Sequence, residues 1–156
     1  MKLLGIDPGT ASTGYAILEI LPPGSAKLLE TAVISTPADD DMHKRLKQLF
    51  RELKAVCVKH SPDIMIVEKL FFNTNVKTAM TVGQARGIAL LVAAEKNMLL
   101  AEYTALQAKR VLTGYGRASK QEMQEAVKKH LDLPKAVKPD DANDAVAIAL
   151  CHLFKL

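Results

Sequence analysis

Two carboxylate residues close apolar segments whose composition predicts buried strands. Asp7 ends the segment Lys2–Asp7, and Glu68 ends the segment Asp63–Glu68. A charged side chain at the end of a buried strand is costly unless it is paired or bound to a cation. If these strands are central neighbours, their carboxyl ends meet at the edge where open α/β sheets place their sites. A simple Asp-Pro-Gly turn is the alternative explanation for Asp7 taken alone.

Two further carboxylates lie in the first turn of the last predicted helix. Asp141 and Asp144 are three residues apart and therefore share one helical face. That face continues through Ile148 and Cys151, and the rest of the helix is apolar almost all round, which is typical of a buried helix. Capping by Asp140 or Asp141, together with the helix dipole, is the alternative explanation for acids at this helix start. It accounts less well for Asp144, so we expect this pair to point inward.

The candidate site therefore consists of four carboxylates: Asp7, Glu68, Asp141 and Asp144. Hard oxygen donors without a His or Cys cluster select Mg²⁺ or Mn²⁺. Two such ions about 3.5–4 Å apart can clamp the attacking and leaving oxygens of an in-line phosphoryl displacement. In this hypothesis Asp7 bridges both metals, while Glu68 and Asp144 hold one of them. Asp141 holds the other metal or orients the attacking water.

Hydrophobic periodicity predicts the elements that position these carboxylates. Short apolar runs predict strands at Lys2–Asp7, Gly14–Leu21, Ala26–Thr36, Asp63–Glu68 and Leu99–Tyr103. Three- and four-residue spacing predicts helices over Asp41–His60, Asn75–Asn97, Thr104–Leu112, Ser119–Leu131 and Asp140–Phe154. Pro22-Pro23-Gly24-Ser25 predicts a hairpin turn between the second and third strands. The order β-β-β-α-β-α-β followed by helices predicts one α/β domain over residues 1–156, a mixed five-stranded sheet with helices on both faces.

Length and composition exclude several classes of protein. The 156 residues are 49% hydrophobic and 24% charged, which suits one globular domain and argues against a disordered chain. No apolar stretch reaches the ~18 residues of a membrane span, and the start lacks a signal-peptide core, so we expect a soluble cytoplasmic protein. The cysteines, Cys57 and Cys151, lie in apolar helical patterns, which favours buried free thiols over a disulfide.

The net charge of +4 is unevenly distributed along the chain. Residues 1–40 carry two basic and five acidic side chains, whereas residues 105–129 carry six basic and two acidic ones. A solvated helical face is the simpler explanation of the basic segment. In the metal hypothesis, the acids bind metal and the neighbouring bases attract phosphate.

Five motifs, in order along the chain, resemble the RuvC family of Holliday-junction resolvases. They are Gly5-Ile6-Asp7-Pro8-Gly9 with Thr13-Gly14-Tyr15, Val67-Glu68 followed by Phe71, Gly83-Gln84-Ala85-Arg86-Gly87, Gly114-x-Gly116-x-Ala118-x-Lys120, and Asp141-x-x-Asp144-Ala145-x-Ala147-Ile148-Ala149. The resemblance implies a ribonuclease-H-like fold, a homodimer, and Mg²⁺- or Mn²⁺-dependent paired nicking of four-way DNA junctions in recombination and repair. It also implies work alongside a junction-binding and branch-migration complex (RuvA and RuvB).

The resemblance assigns roles to individual residues as well. The catalytic carboxylates of the family fall on Asp7, Glu68, Asp141 and Asp144. Phe71 matches an aromatic residue that stacks on junction bases, a contact of about 1–3 kcal/mol per base; a core position is the alternative, for which Phe72 also qualifies. Lys109 and Lys120 match basic residues near the scissile phosphate, where they stabilise transition-state charge or grip the backbone. Arg117 is a further candidate for binding DNA.

The helix after Phe71 carries a stripe of small residues. Ala79, Gly83 and Gly87 recur at four-residue steps, and each glycine costs about 1 kcal/mol in a helix unless close packing offsets it. The packing partner is either the rest of the fold or a second protomer across a two-fold axis, and the resemblance favours the dimer. Arg86 on the same helix either structures that interface or binds DNA.

The chain departs from the family's pattern beside two of the carboxylates. Thr10-Ala11-Ser12-Thr13 stands where many members carry a basic residue, and Lys69 follows Glu68 where a Gln is usual. These differences bear on DNA affinity and cleavage preference rather than on whether the metal site can form.

Three other hypotheses share part of this pattern. A sister ribonuclease-H-like family that matures ribosomal RNA shares the Gly-x-Asp-x-Gly start, but the Phe71 loop and the closing Asp-x-x-Asp favour the resolvase. An actin-like ATPase also begins Asp-x-Gly-Thr, yet it needs two similar lobes and this chain has no internal repeat. A non-catalytic DNA-binding module needs no acidic quartet, so Asp141 and Asp144 argue against it.

Overall fold

The computed structural model describes residues 1–71 and 76–155. Within them, the elements in chain order are β1 (Lys2–Asp7), β2 (Ser12–Leu21), β3 (Ser25–Ser35), α1 (Met42–His60), β4 (Ile64–Glu68), α2 (Val76–Glu95), β5 (Leu99–Tyr103), α3 (Ala105–Thr113), α4 (Lys120–His130) and α5 (Asp140–Leu153). Every predicted strand and helix is present, with ends that differ by one or two residues at most. The predicted helix start at Asn75 and the candidate core residue Phe72 lie outside the described residues.

The strands form one mixed sheet in the order β3-β2-β1-β4-β5. β1 pairs antiparallel with β2 and parallel with β4, and Ile6 lies opposite Val67. Since Asp7 and Glu68 follow these two residues, the parallel register brings both carboxylates to the same edge of the sheet. The expectation that these strands are central neighbours is confirmed.

Helices cover both faces of the sheet. Leu4 and Ile6 of β1 pack in the hydrophobic core under α1 and α2, whereas Leu3 packs in the core under α3, α4 and α5. The predicted burial of α5 is confirmed, because each residue from Ala145 to Leu153 is buried. The fold is therefore the predicted α/β architecture with a mixed five-stranded sheet between two helical layers.

Two glycines let α5 lie directly against the backbone of the sheet. A Cβ atom added at Gly5 in β1 would come closer than 3.0 Å to the carbonyl oxygen of Ala145, and one at Gly14 in β2 would do the same to that of Asp141. Since real Cβ atoms do not approach backbone this closely, only glycine fits at these two positions. This contact holds the first turn of α5 beside the end of β1.

The remaining sequence expectations concern thiols and membranes. Cys57 and Cys151 are free and buried, as predicted. Among the helices of residues 1–71 and 76–155, none is long and apolar enough to cross a membrane.

Replacing Gly5 by alanine should lower the free energy of unfolding by about 2–3 kcal/mol, because the new methyl group overlaps the α5 backbone. The control is Glu125→Ala on the exposed face of α4. It should change the free energy of unfolding by no more than about 0.5 kcal/mol. Urea unfolding followed by circular dichroism measures both, and equal midpoints for Gly5→Ala and the natural protein would contradict the close contact.

Candidate active site

Asp7 and Glu68 form a hydrogen-bonded carboxyl pair at the edge of the sheet. Burial, and then the neighbouring charge of Glu68, raise the pKa of Asp7 from 3.8 to about 9. Burial also raises the pKa of Glu68, although the hydrogen bond from Asp7 and the positive charge of Lys109 oppose that rise. The pair therefore shares a proton at neutral pH when no cation replaces it.

The first turn of α5 adds the other two carboxylates. Asp144 is exposed to solvent at the site and does not point inward as expected. Desolvation by the surrounding protein, and then the charge of Glu68, raise its pKa to about 6. The charges of Asp144 and Asp141 in turn contribute to the raised pKa of Asp7. The structure thus brings all four predicted carboxylates within electrostatic reach of one another.

The capping explanation for the acids of α5 is wrong. The N-cap residue is Pro139, and the helix start has no side-chain cap. Asp140 instead accepts hydrogen bonds from Lys120 Nζ at 3.0 Å and from Gln124 Nε2 at 2.9 Å. The contact with Lys120 lowers the pKa of Asp140, so this acid is a partner of α4, and its charge also contributes to the raised pKa of Asp144.

A cleft of about 150 Å³ opens beside the carboxylates. Its polar lining residues are Glu68, Asp144, Lys109 and Lys120, and its apolar ones are Ala105, Ala108, Met123, Ala147 and Ile148. Both predicted phosphate-binding lysines therefore line the same cleft as two of the predicted metal ligands. Acids that attract a cation and bases that attract a phosphate are the two requirements of metal-assisted phosphoryl transfer.

The other candidate residues for binding DNA lie in different surroundings. Phe71 lies three residues after the end of β4 and is 70% exposed, so the alternative of a core position is wrong for this residue. Arg117 is exposed in the segment before α4. Arg86 forms an ion pair with Glu102, which joins α2 to the edge strand β5. A contact between Arg86 and DNA would have to replace that pair.

Ser12 is a residue of the site that sequence reasoning missed. Its Oγ donates a hydrogen bond to Asp141 Oδ2 at 2.5 Å, across a separation of 129 residues in the chain. The sequence signal was only its place in the loop after Asp7. The sequence does not show that Ser12 is the partner of Asp141, because only the fold brings β2 next to α5.

The donor set fits a hard divalent cation. The surplus negative charge that raises the pKa of Asp7 is charge that a cation would neutralise. In the part of the chain that the structure describes, no three Asp, Glu, His or Cys side chains already stand in a closed ligand arrangement. Binding a cation would therefore displace the shared proton and draw carboxylates together.

The mixed sheet, its acidic edge and the adjoining basic cleft define a nuclease of the ribonuclease-H-like class. The family model described as Crossover junction endodeoxyribonuclease RuvC matches residues 3–152. The chain belongs to this family of RuvC resolvases, as the sequence motifs indicated. Membership in this nuclease family implies dependence on a divalent metal.

Individual relatives agree with that assignment. The crossover junction endodeoxyribonuclease RuvC of Syntrophomonas wolfei is 47% identical over 153 residues, which are 98% of this chain and 88% of that protein. Its counterpart from Desulforamulus reducens is 48% identical over 152 residues, 97% of this chain and 93% of that one. The structure of Thermus thermophilus RuvC in complex with a Holliday junction substrate matches with a TM-score of 0.94 at 32% identity, covering 99% of this chain and 94% of that chain.

Without metal, the contribution of Asp7 to the stability of the protein should fall as the pH rises. The folded state holds the Asp7 proton up to about pH 9 and the unfolded state releases it near 3.8, so the folded state binds more protons between these values and loses stability across that range. Asp7→Asn should therefore raise the free energy of unfolding by about 1–3 kcal/mol near pH 8 in EDTA and flatten its pH dependence. Denaturant unfolding at several pH values measures this, with exposed Asp39→Asn as the control. Parallel pH profiles for Asp7→Asn and the natural protein would contradict the crowded site.

Proposed function

We propose that this protein resolves four-way DNA junctions, as an endodeoxyribonuclease that makes paired symmetric nicks by phosphodiester hydrolysis and leaves 5′-phosphate ends. The observation that carries the proposal is the cleft shared by the carboxylates Glu68 and Asp144 and the cations Lys109 and Lys120. The relative whose structure contains a Holliday junction supports the choice of substrate.

Two divalent ions, Mg²⁺ or Mn²⁺, are proposed for each site, with Asp7 between them, Glu68 and Asp144 on one, and Asp141 on the other or on the attacking water. When bound, such ions polarise the phosphate and lower the pKa of water. The chain itself keeps the carboxylates together at the sheet edge. Lys109, whose positive charge already acts on Glu68, is placed to hold the scissile phosphate against them.

The exposed residues around this cleft are proposed to bind the junction. Phe71 offers an exposed ring three residues after Glu68, so a base stacked on it would lie near the site. Lys120 is the first residue of α4 and Arg117 lies three residues before it, so both can bind the phosphate backbone. Arg86 remains a weaker candidate because Glu102 already pairs with it.

A second copy of the chain is proposed to pack against α2. Cβ atoms built at Gly83 and Gly87 meet no described atom within 4 Å, so the described part of the fold does not fill the space beside these glycines. The same helix exposes Val76, Met80 and Leu91, which a partner helix could cover. A two-fold dimer supplies one active site for each of the two strands to be cut.

In the cell we place this activity in the cytoplasm, in homologous recombination and DNA repair. We also propose cooperation with a junction-binding and branch-migration complex (RuvA and RuvB), the partners that the resemblance to the RuvC family implies. Four-way junction DNA is the proposed substrate with or without this partner complex.

Asp7→Asn and Asp144→Asn should each reduce the cleavage rate by more than ~100-fold, because each removes a metal ligand. Loss of a residue that only supports a metal ligand costs up to ~100-fold, and loss of the ligand itself should cost more. Junction binding should persist or tighten, since one negative charge facing phosphate is removed. Gel assays with a labelled junction measure cutting in Mg²⁺ and binding in EDTA, with Asp39→Asn as the control. Undiminished nicking by either variant would refute the assigned site.

The substrate class is tested with a labelled four-way junction, linear duplex, RNA hairpin and ATP, each with and without Mn²⁺. Preferential, symmetric cutting of the junction supports the proposal. Preferential RNA cleavage would select the RNA-maturing class instead, and ATP turnover without cutting would select the ATPase.

Gly87→Glu should convert the protein to a monomer and abolish paired nicking, because it places a charge in the proposed helix contact. Sedimentation velocity gives the oligomeric state, and a cruciform plasmid separates single from paired nicks. Val58→Glu, at an exposed apolar residue of α1, is the matched control and should leave the dimer intact. A dimer that survives Gly87→Glu would place the interface elsewhere.

A further inference from the structure

Ser12 is bonded to one of the carboxylates proposed to bind metal, although it is not itself a typical ligand. Its hydroxyl donates to Asp141 Oδ2 at 2.5 Å. Two residues further along β2, Gly14 lies against the carbonyl group of Asp141. The start of β2 therefore holds Asp141 twice, by backbone contact and by a hydrogen bond to its side chain.

The loop that precedes Ser12 is itself anchored on both sides. Thr10 Oγ1 donates to the carbonyl oxygen of Thr81 in α2 at 2.6 Å, and Thr36 Oγ1 donates to the carbonyl oxygen of Thr10 at 2.6 Å. Both Thr10 and Thr36 are buried. Ser12 thus approaches Asp141 from a segment whose position is fixed, which is what a positioning contact requires.

Asp141 differs in its bonding from the carboxyl pair beside it. Asp7 and Glu68 hydrogen-bond to each other, whereas Asp141 accepts from a neutral hydroxyl group. A hydroxyl donor engages one carboxylate oxygen without adding or removing charge. It fixes the rotation of the carboxylate and leaves Oδ1 available to a cation.

We propose that Ser12 is a positioning residue that orients Asp141 to bind a divalent cation through its single oxygen Oδ1. The inference deepens the proposed function, since it assumes that Asp141 holds metal. Hydrogen bonds to a ligating carboxylate typically contribute 10–100-fold, in order of magnitude, to metal affinity or activity. The segment Pro8–Thr13 contains no basic residue. It can therefore donate hydrogen bonds from hydroxyl groups to the site, but it cannot contact phosphate through a cationic side chain.

The test compares Ser12→Ala, which removes the hydroxyl, with Ser12→Thr, which keeps it. Cleavage of a labelled junction is titrated with Mg²⁺, and the Mg²⁺-induced rise in melting temperature is followed separately without DNA. For Ser12→Ala, the Mg²⁺ concentration at half effect should increase about tenfold in both titrations. Ser12→Thr should titrate like the natural protein, and junction binding in EDTA should be equal for all three.

The matched control is Ser35→Ala, which deletes the hydroxyl of the exposed residue paired with Ser12 across β2 and β3. It should leave both titrations unchanged. If Ser12→Ala does not fold, Ser12→Cys, with a similar volume and a much weaker donor, replaces it.

The outcomes separate this inference from the proposed function. A Ser12→Ala variant that titrates like the natural protein overturns the inference, and so does a shift that Ser12→Thr fails to restore. If the natural protein cuts no junction but the melting titration still shifts in Ser12→Ala and is restored in Ser12→Thr, the positioning role stands and the proposed substrate fails.

Discussion

The direct backbone contact between α5 and the first two strands is the constraint on which the site depends. The four carboxylates come from three separate elements, β1, β4 and α5. Parallel pairing aligns β1 with β4, but nothing in the sheet itself determines how near a covering helix lies. Gly5 and Gly14 set that distance, because any side chain there would push the start of α5 away from the end of β1. The acidic site is therefore encoded as much by two missing side chains as by four carboxylates.

Bringing these acidic side chains together lowers the free energy of unfolding, and burial of apolar residues in the hydrophobic core offsets that loss. The raised pKa values of Asp7, Glu68 and Asp144 express the same repulsion and burial that a bound cation would relieve. Beneath the site, the continuous burial from Ala145 to Leu153 anchors α5 to the sheet. Four of the 17 acidic residues belong to this quartet, so cations that neutralise them would leave the surface around the cleft more basic than the net charge of +4 suggests.

Sequence patterns predict the fold and the quartet well, because both follow from local rules. Strand and helix periods are properties of neighbouring residues, and the nearness of Asp7 and Glu68 follows once their strands are parallel neighbours. The partners of individual side chains are not local. Ser12 reaches Asp141, and Arg86 pairs with Glu102, only because the fold brings these residues together. The same holds for the glycines of α2, since only the structure shows that the space beside them is open.

The ion pair of Lys120 shows how a base can line the acidic cleft without binding one of the four carboxylates directly. A lysine bound to Asp144 or Asp141 would neutralise the charge that attracts a metal. Lys120 is bonded instead to Asp140, at 3.0 Å, and its side chain is 81% exposed. An exposed pair of this kind is weak, because water screens both charges. A phosphate arriving at the cleft can therefore replace Asp140 as the partner of Lys120, while the carboxylates remain available to the cation.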